Sequence, residues 1–352
     1  MLDARMTEGL LAASNAPCGV WLWSDVSLTQ LSRKENFPLL FFKCPSKLLF
    51  SPSLWFLGSS IECYRLANGK PTERCVASWK DGDSWFILRL VRSEKPNNAL
   101  PSEPDAFSLV HEEGTQSAVW VVGNNAFCKV KSWTADMLLE SKAIQFVQQT
   151  LPQVPVPGVI HNWVDNDRSL LLLKRVEGTT LRDAWQTMST HQQEFILDEA
   201  VRLCNLFASV TSNRLRGVQC GPVLEPYLAH SGKDTLGPLT VCKSKRYFFR
   251  EGLHPNPEIG SQFHFYHPDL GPGNIIVPNN RISAIIDWEG AGFYPRFWVS
   301  TKPSVSPGLD FYPPIPGVED IEWGRKPRMK LEEQGYPRFA EWYMEWRKTK
   351  SR

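Results

Sequence analysis

The sequence predicts an α+β fold in two lobes, a small antiparallel-sheet lobe followed by a mainly helical large lobe. Two apolar strands flank a turn of Gly123, Asn124 and Asn125, and amphipathic helical patterns dominate further along the chain. The length of 352 residues exceeds the usual size of a single domain. Hydrophobic residues make up 42% and charged residues 22%, which excludes disordered, collagen-like and coiled-coil chains.

The charge balance and hydropathy pattern predict no nucleic-acid partner and no membrane partner. The formal net charge is only +2, whereas nucleic-acid-binding domains carry a large basic surface. The most apolar stretch covers residues 37–57 and is interrupted by Lys43, Pro45, Lys47 and Pro52. A membrane-spanning helix needs about 20 predominantly apolar residues, so this stretch does not qualify.

The cysteine pattern predicts a cytoplasmic protein. The chain has eight cysteines, none of them in a C-x-x-C pair or at a spacing typical of zinc sites. Free thiols are the rule in reducing compartments. The N-terminus carries Asp3, Arg5 and Glu8 with no apolar run behind them, so no signal peptide is expected.

The small lobe is predicted from residues 105–178. Residues 117–131 form two strands joined by the Gly-Asn-Asn turn, and residues 169–176 form an apolar strand. Between them, residues 135–149 have a helical apolar pattern, with Thr134 as the expected N-cap. Residues 93–104 are polar and rich in proline, which is typical of a linker.

The large lobe is predicted from residues 179–352. A long amphipathic helix covers residues 191–210 with Thr190 as its cap, and a final helix covers residues 336–348. Residues 1–104 contain short apolar runs but no chemical motif. Their role stays open between an extra strand layer on the small lobe, an accessory segment and a mis-assembled gene model.

Residues 263–290 contain the constellation that suggests chemistry. His267-x-Asp269 is followed five residues later by Asn274, and Asp287 ends an apolar strand. Asn274 and Asp287 flank a predicted hairpin that turns at residues 279–280. A two-residue loop would place Asn274 opposite Ile285, with Asp287 on the diagonal of the same face.

Oxygen-bearing side chains at one hairpin mouth suit a hard cation such as Mg²⁺. Asp269 lies on the adjoining glycine-rich loop and supplies a candidate base. Phosphoryl transfer to a hydroxyl requires a base beside a pair of metal-binding side chains. The alternative is a polar loop next to an ordinary hairpin.

The run Tyr-His-Pro-Asp-Leu-Gly-Pro-Gly-Asn-Ile-Ile-Val at residues 266–277, with Ile-Ile-Asp-Trp-Glu at residues 285–289, resembles the aminoglycoside phosphotransferase family. The resemblance covers residues 107–352 and implies the bilobal protein-kinase-like fold. It implies that Asp269 is the catalytic base and that His267 holds the loop. It also implies that Asn274 and Asp287 bind the nucleotide-bound Mg²⁺.

The upstream half is similar to this family in the same order. Residues 127–131 resemble the strand that carries the nucleotide-binding lysine, and Lys129 and Lys131 share one face of it. We prefer Lys129, because pairing it with Val119 gives a compact hairpin, and Lys131 stays the alternative. The resemblance makes Glu140 the partner of that lysine.

The resemblance also locates the rest of the nucleotide site. The backbone at Lys174, Arg175 and Val176 corresponds to the segment that meets adenine. The turn at Gly114 and Thr115 corresponds to the phosphate-covering turn, although no G-x-G-x-x-G is present. The leucine run that leads to Lys174 is equally compatible with an ordinary core strand.

The function expected from this resemblance is an ATP- and Mg²⁺-dependent phosphotransferase. It would move the γ-phosphate to a hydroxyl of a small-molecule acceptor whose identity the sequence does not give. A catalytically weak, nucleotide-binding module is the first alternative, favoured by the missing glycine-rich loop. A protein kinase is the second, disfavoured because no A-P-E follows Asp287.

Overall fold

The computed structural model describes residues 49–51, 54–67, 74–92, 107–135, 137–229, 233–278, 281–306, 309–311 and 323–349. All of them belong to the unit Phe42–Arg352. The predicted linker at residues 93–104 and the predicted turn at residues 279–280 lie outside the described residues. The α+β class is confirmed, since two antiparallel sheets come first and helices prevail afterwards. None of the helices in the described ranges is long and apolar enough to cross a membrane.

The first sheet is antiparallel, with strand order β1-β2-β3-β5-β4. Its strands are β1 Leu49–Ser51, β2 Leu54–Leu57, β3 Ile61–Ala67, β4 Ala77–Asp81 and β5 Ser84–Leu90. A two-residue turn with Gly82 at φ 59° joins β4 to β5, a conformation that glycine adopts without steric cost. Phe86 and Leu88 alternate along β5 with Ile87, so the sheet buries both faces.

The second sheet is also antiparallel, with strand order β6-β7-β8-β10-β9. Its strands are β6 Phe107–Glu113, β7 Ser117–Val122, β8 Ala126–Ser132, β9 Val159–Asp165 and β10 Arg168–Lys174. The predicted β7–β8 hairpin is confirmed in its register, because Val119 pairs with Lys129 and Val122 pairs with Ala126.

The two sheets share one hydrophobic cluster. Leu57, Cys63 and Phe86 from the first sheet pack with Cys128 and Leu172 from the second, and all five are fully buried. Because side chains alternate along β8, Lys129 then faces away from this cluster. The opposite face of the second sheet packs on helix α1 (Glu140–Thr150) through Leu171 and Leu173. The first sheet therefore covers the face of the second sheet that does not carry Lys129.

Helix α1 begins five residues later than the sequence predicts. The predicted cap Thr134 instead accepts a backbone hydrogen bond from Met137 in a turn. Leu139 is the N-cap, and its side chain makes no capping hydrogen bond. Because this backbone turn extends to Met137, the helix begins only after it.

After residue 178 the described residues contain six helices, α2 Leu181–Ala184, α3 Thr190–Ala208, α4 Val241–Phe248, α5 Arg296–Val305, α6 Arg325–Glu333 and α7 Ala340–Lys348. Helix α3 is capped by Ser189, one residue before the predicted cap, because Ser189 and Gln192 form a reciprocal capping box. Helix α7 begins four residues later than predicted, at Ala340.

Short strands accompany these helices. They are β11 Thr179–Thr180, β12 Thr211–Ser212, β13 Arg214–Gly217, β14 Val223–Leu224, β15 Thr235–Leu236, β16 Leu239–Thr240, β17 Phe263–Tyr266, β18 Ile275–Val277, β19 Ala284–Ile285 and β20 Gly292–Tyr294. Short 3₁₀ helices cover Trp185–Thr187, Pro272–Asn274 and Trp288–Gly290. The last two of these flank the candidate site.

The register of the β18–β19 hairpin differs by one residue from the predicted register. Ile275 pairs with Ile285, and Ile276 pairs with Ala284. Asn274 therefore stands opposite Ile286, whose backbone N–H donates to the Asn274 carbonyl at 3.0 Å. The predicted pairing of Asn274 with Ile285 is therefore wrong. The observed register places Asp287 one residue beyond the partner of Asn274.

Candidate active site

His267 is a fully buried residue that ties two loops together. Its Nε2 lies 3.0 Å from the Ile286 carbonyl, and its Nδ1 lies 3.2 Å from the backbone N of Asp269. Since Nδ1 accepts from that N–H, Nε2 carries the proton and donates to Ile286. Burial lowers the pKa of His267. The charges of Asp269 and Asp287 raise this pKa, but the effect of burial is larger. The imidazole is therefore a neutral connector rather than a free base.

Asp269 and Asn274 are linked through a tight loop. The Asn274 Nδ2 donates to the Asp269 carbonyl at 2.9 Å and to its Oδ2 at 2.7 Å. The backbone N–H of Asn274 donates to Gly271, which closes the 3₁₀ turn at Pro272–Asn274. Burial, and then the charge of Asp287, raise the pKa of Asp269, while His267 and Lys302 oppose that rise. The loop thus holds a half-buried carboxylate with one oxygen fixed by Asn274.

Asp287 adopts a left-handed backbone conformation with φ 64° and ψ 57°. Such a conformation costs a non-glycine residue about 1–2 kcal/mol, although aspartate tolerates it better than most. Strain of this kind persists where surrounding contacts fix it, and it concentrates at functional sites. Here the turn continues into Trp288, whose backbone N–H donates to Glu140 Oε1 at 3.2 Å.

Lys129 connects the sheet, the helix and the turn after β19. Its Nζ lies 2.7 Å from Glu140 Oε2 and 2.6 Å from Asp287 Oδ1. Burial lowers the pKa of Lys129, but the charges of Asp287, Glu140 and Glu289 outweigh it, so the net shift is upward. Burial raises the pKa of Asp287, and Lys129 and Lys131 overcome it to bring that pKa to about 2. The ammonium and the carboxylate are both ionised near neutral pH.

Lys131 forms a separate ion pair with Glu289. Both side chains are about one quarter exposed, whereas the Lys129 side chain is only 14% exposed. Burial and the charge of Asp287 raise the pKa of Glu289. The two lysines of β8 therefore have different partners, and Lys129 is the one beside Glu140 and Asp287. The sequence motif contains Glu289 two residues after Asp287, but its position in the sequence did not predict that it would pair with Lys131.

The segment at Lys174, Arg175 and Val176 leaves β10 at the edge of the site. The Lys174 N–H donates to the Gly158 carbonyl at 2.7 Å, and the Arg175 N–H donates to the Asn125 carbonyl at 2.8 Å. Two of the three backbone donors predicted to meet adenine are thus used within the protein. The half-buried Val176 is the remaining donor of this segment.

The predicted phosphate-covering turn lies between β6 and β7 at residues 114–116. Gly114 has φ 51°, and a side chain added there would meet no atom within 4 Å. The Thr115 carbonyl accepts from Arg168 Nη1 at 2.8 Å, which fixes one side of the turn.

The oxygens of Asn274 and Asp287 fit a magnesium ion that also takes phosphate oxygens. Asn274 uses its Nδ2 toward Asp269, so its amide oxygen is the atom suited to a cation. Asp287 uses Oδ1 toward Lys129 and is 27% exposed, which leaves Oδ2 for the same purpose. Mg²⁺ is usually held by one or two such protein oxygens together with phosphates and water. Within the described ranges, no group of three or more His, Cys, Asp or Glu side chains is arranged to hold a metal.

Lys129 between two carboxylates and the Asp269 loop, which His267 ties to Ile286, form one connected group of polar side chains. The chain belongs to the phosphotransferase enzyme family whose model is abbreviated APH, and the family model matches residues 86–298. The match includes both sides of the site, from Lys129 to Asp287.

Solved structures similar to this chain are aminoglycoside phosphotransferases. An apo thermostable mutant of APH(4)-Ia is 16% identical, with a TM-score of 0.43, over 68% of this chain and 83% of that chain. The streptomycin–ATP–APH(2")-IIa ternary complex is 14% identical, with a TM-score of 0.43, over 68% of this chain and 80% of that chain. A search of curated proteins finds no match.

Proposed function

We propose that the protein is an ATP- and Mg²⁺-dependent phosphotransferase that moves a γ-phosphate to a hydroxyl of a small molecule. The observation that carries the proposal is the Lys129 ammonium, held between Glu140 and Asp287. Phosphoryl transfer depends on positioning and on positive charge near the phosphates, and this arrangement supplies both. The fold we propose is bilobal and protein-kinase-like, with residues 105–178 as the nucleotide lobe and residues 179–352 as the catalytic lobe.

Each residue of the network has a proposed task. Lys129 binds the nucleotide phosphates, and Glu140 orients it. Asn274 and Asp287 hold Mg²⁺, which neutralises charge on the phosphates when it is bound. Val176 is the backbone donor left for adenine within the segment that also includes Lys174 and Arg175.

Asp269 is the proposed catalytic base. It would accept the proton of the acceptor hydroxyl as the oxygen attacks the phosphorus and the bond to the departing nucleotide breaks. Its raised pKa makes it a better proton acceptor than an exposed aspartate. His267 positions the Asp269 backbone and takes no part in proton transfer.

The proposed partner is a small hydroxyl-bearing acceptor, and no nucleic acid or membrane is involved. A net charge of +2 supports this, because it leaves no large basic surface. We place the reaction in the cytoplasm, which is consistent with free thiols at all six described cysteines.

The test is direct measurement of nucleotide binding and turnover. Mg-ATP is titrated calorimetrically, and the purified protein is then incubated with Mg-ATP and a panel of amino alcohols, sugars and aminoglycosides. We expect Mg-dependent ATP binding and phosphate transfer to at least one hydroxyl compound. Failure to bind Mg-ATP would refute the proposal.

A catalytically weak nucleotide-binding module is the second candidate. It is favoured by the turn at residues 114–116, which has one glycine where kinases have a glycine-rich loop. Mg-ATP binding without transfer to any acceptor would favour this module. A protein kinase is the weakest candidate, since Gly292–Tyr294 and Pro295 follow the motif in place of A-P-E.

A further inference from the structure

Arg182 lies directly over the loop that carries Asp269 and Asn274. It belongs to the short helix α2, which begins at Leu181. A Cβ added to Gly273 would lie 2.9 Å from Arg182 Nη2 and 3.5 Å from its Cζ. The guanidinium thus occupies the space that any side chain at residue 273 would fill.

The position of Arg182 is fixed by the backbone on both sides. Strand β11 pairs with β18, so Thr180 stands opposite Ile276, two residues beyond Asn274. Gly178 adopts φ 121° and approaches the Val277 carbonyl so closely that a Cβ would lie 2.9 Å from that oxygen. The Thr180 side chain accepts from the Asp183 N–H and caps α2. These contacts anchor the segment from Gly178 to Asp183 against the loop.

One guanidinium nitrogen of Arg182 lacks a partner in the part of the chain that the structure describes. Its Nε is buried without a hydrogen bond. The neighbouring Asp183 carboxylate instead accepts from the Thr180 hydroxyl at 2.6 Å. A buried donor without an acceptor is unfavourable, and such a group in a native structure calls for an explanation.

We propose that Arg182 is an oxyanion-binding residue of this site and that it takes a phosphate or carboxylate group lying over Gly273. An arginine presents five donors in a planar fork that matches such groups, and the Nη donors of the half-buried Arg182 are the ones that such a group would reach. The place of the anion follows from Gly273, which immediately precedes Asn274 and lies within the loop that holds Asp269. The proposal rests on the proposed function in one respect, because only a phosphotransferase reaction would make the bound anion part of a substrate.

The oxyanion has two possible sources, the phosphate chain of the nucleotide and an anionic group on the acceptor. Both share the chemistry that Arg182 recognises, and two titrations distinguish them. In the first, Mg-ATP and adenosine are titrated into the free protein. In the second, inorganic phosphate is titrated into protein saturated with Mg-AMP-PNP. Each titration uses the wild type, Arg182→Gln, and Arg202→Gln as the matched control.

We expect Arg182→Gln to weaken binding about tenfold or more in one of the two titrations, with adenosine affinity unchanged. Loss in the Mg-ATP titration identifies the nucleotide as the source, and loss in the phosphate titration identifies the acceptor. Arg202 is a suitable control because it lies on α3 with a side chain that is 59% exposed. Equal affinities of wild type and Arg182→Gln in both titrations would overturn the proposal.

Gly273→Ala provides a variant that keeps the arginine. Gly273 has no positive φ, and the atom nearest the added methyl group is the flexible end of Arg182. The methyl group therefore displaces the guanidinium without straining the backbone. We expect Gly273→Ala to lower anion affinity in the wild type and to have little further effect in Arg182→Gln. If the losses of anion affinity in the two single variants add up in the double variant, Gly273→Ala does not act by displacing Arg182, and that explanation is overturned.

The outcomes also separate this proposal from the proposed function. Anion binding that depends on Arg182, in a protein that transfers phosphate to no acceptor, supports the oxyanion site and refutes the phosphotransferase reaction. Turnover that is indifferent to Arg182→Gln, with unchanged affinities, supports the reaction and refutes the site. Circular dichroism and the Tm of each variant confirm that the protein is folded in every comparison.

Discussion

Lys129 Nζ lies 2.7 Å from Glu140 Oε2 and 2.6 Å from Asp287 Oδ1, so one partly buried ammonium joins β8, α1 and the turn after β19. The same Glu140 accepts the backbone N–H of Trp288 through its other oxygen. Helix α1 is thereby attached to the turn by two hydrogen-bonded connections. A shift of this helix would break both, so the position of the Asp287 carboxylate depends on that of α1.

Mg-ATP is expected to stabilise the wild type, and Asp287→Ala is expected to remove most of that effect. Binding to the folded state alone contributes about 2.7 kcal/mol when the ligand is at a hundred times its Kd. Thermal unfolding with and without Mg-ATP measures the difference, and Asp198→Ala on the exposed surface of α3 is the control. Equal thermal shifts in wild type and Asp287→Ala would contradict the role of Asp287.

Lys129→Ala is expected to weaken ATP binding, whereas Lys131→Ala is expected to leave it unchanged. Lys129 contacts Glu140 and Asp287, but Lys131 contacts Glu289. Calorimetric titration of Mg-ATP into both variants measures the affinities. The reverse result would transfer the role to Lys131, and no effect from either variant would favour the catalytically weak module.

Local sequence chemistry predicted the parts of the site that lie close together in the chain. The Gly-Asn-Asn turn fixes the β7–β8 register, which places Lys129 opposite Val119. The spacing of Asp269 and Asn274 likewise brings their side chains to hydrogen-bonding distance within one turn. Both relationships depend on a few neighbouring residues, and turn geometry alone determines them.

Contacts between residues that are far apart in the sequence could not be predicted in the same way. The contact of Arg182 with Gly273 arises from the pairing of β11 with β18. No sequence motif predicts this pairing. The register of the β18–β19 hairpin differs by one residue from the prediction, so Asn274 stands opposite Ile286 and not opposite Ile285. The first sheet was predicted only as one of three alternatives, an extra strand layer, because short apolar runs do not specify their partners.

Cys63 and Cys128 are expected to resist alkylation in the native protein. Both are fully buried between the two sheets, and burial raises the pKa of Cys128 to about 12. Cys220 and Cys242 are exposed and should react within the same period. Mass spectrometry of protein labelled with iodoacetamide, native and in urea, measures each site. Native labelling of Cys63 and Cys128 at the rate of Cys220 would show that the sheets do not cover each other.

Glu225→Gln is expected to lower the free energy of unfolding by about 3–5 kcal/mol, because it leaves a buried ammonium without its counter-charge. Glu225 Oε1 lies 3.0 Å from Lys302 Nζ, with side-chain exposures of 1% and 7%. Trp298 Nε1 also donates to Glu225 at 3.1 Å. Urea unfolding measures the change.

The double variant Glu225→Gln with Lys302→Met should recover part of that loss, since it removes the unpaired charge. Asp198→Asn serves as the surface control and should change stability by no more than about 0.5 kcal/mol. Its partner Lys330 is one third exposed, and Asp198 itself is 63% exposed. A loss for Glu225→Gln as small as that of the control would show that the buried pair is not needed for the fold.

Asp269→Asn separates catalysis from binding. The substitution keeps the shape of the side chain and an oxygen that can accept from Asn274, but it removes the carboxylate that would take the proton. General-base catalysis contributes about 10²–10⁴-fold, so phosphoryl transfer should fall by about that factor. Nucleotide affinity should change little, because Asn274 and Asp287 both remain. The measurements are ATP turnover with a responsive acceptor and Mg-ATP titration on the same preparations. Turnover at the wild-type rate in Asp269→Asn would remove Asp269 from the reaction.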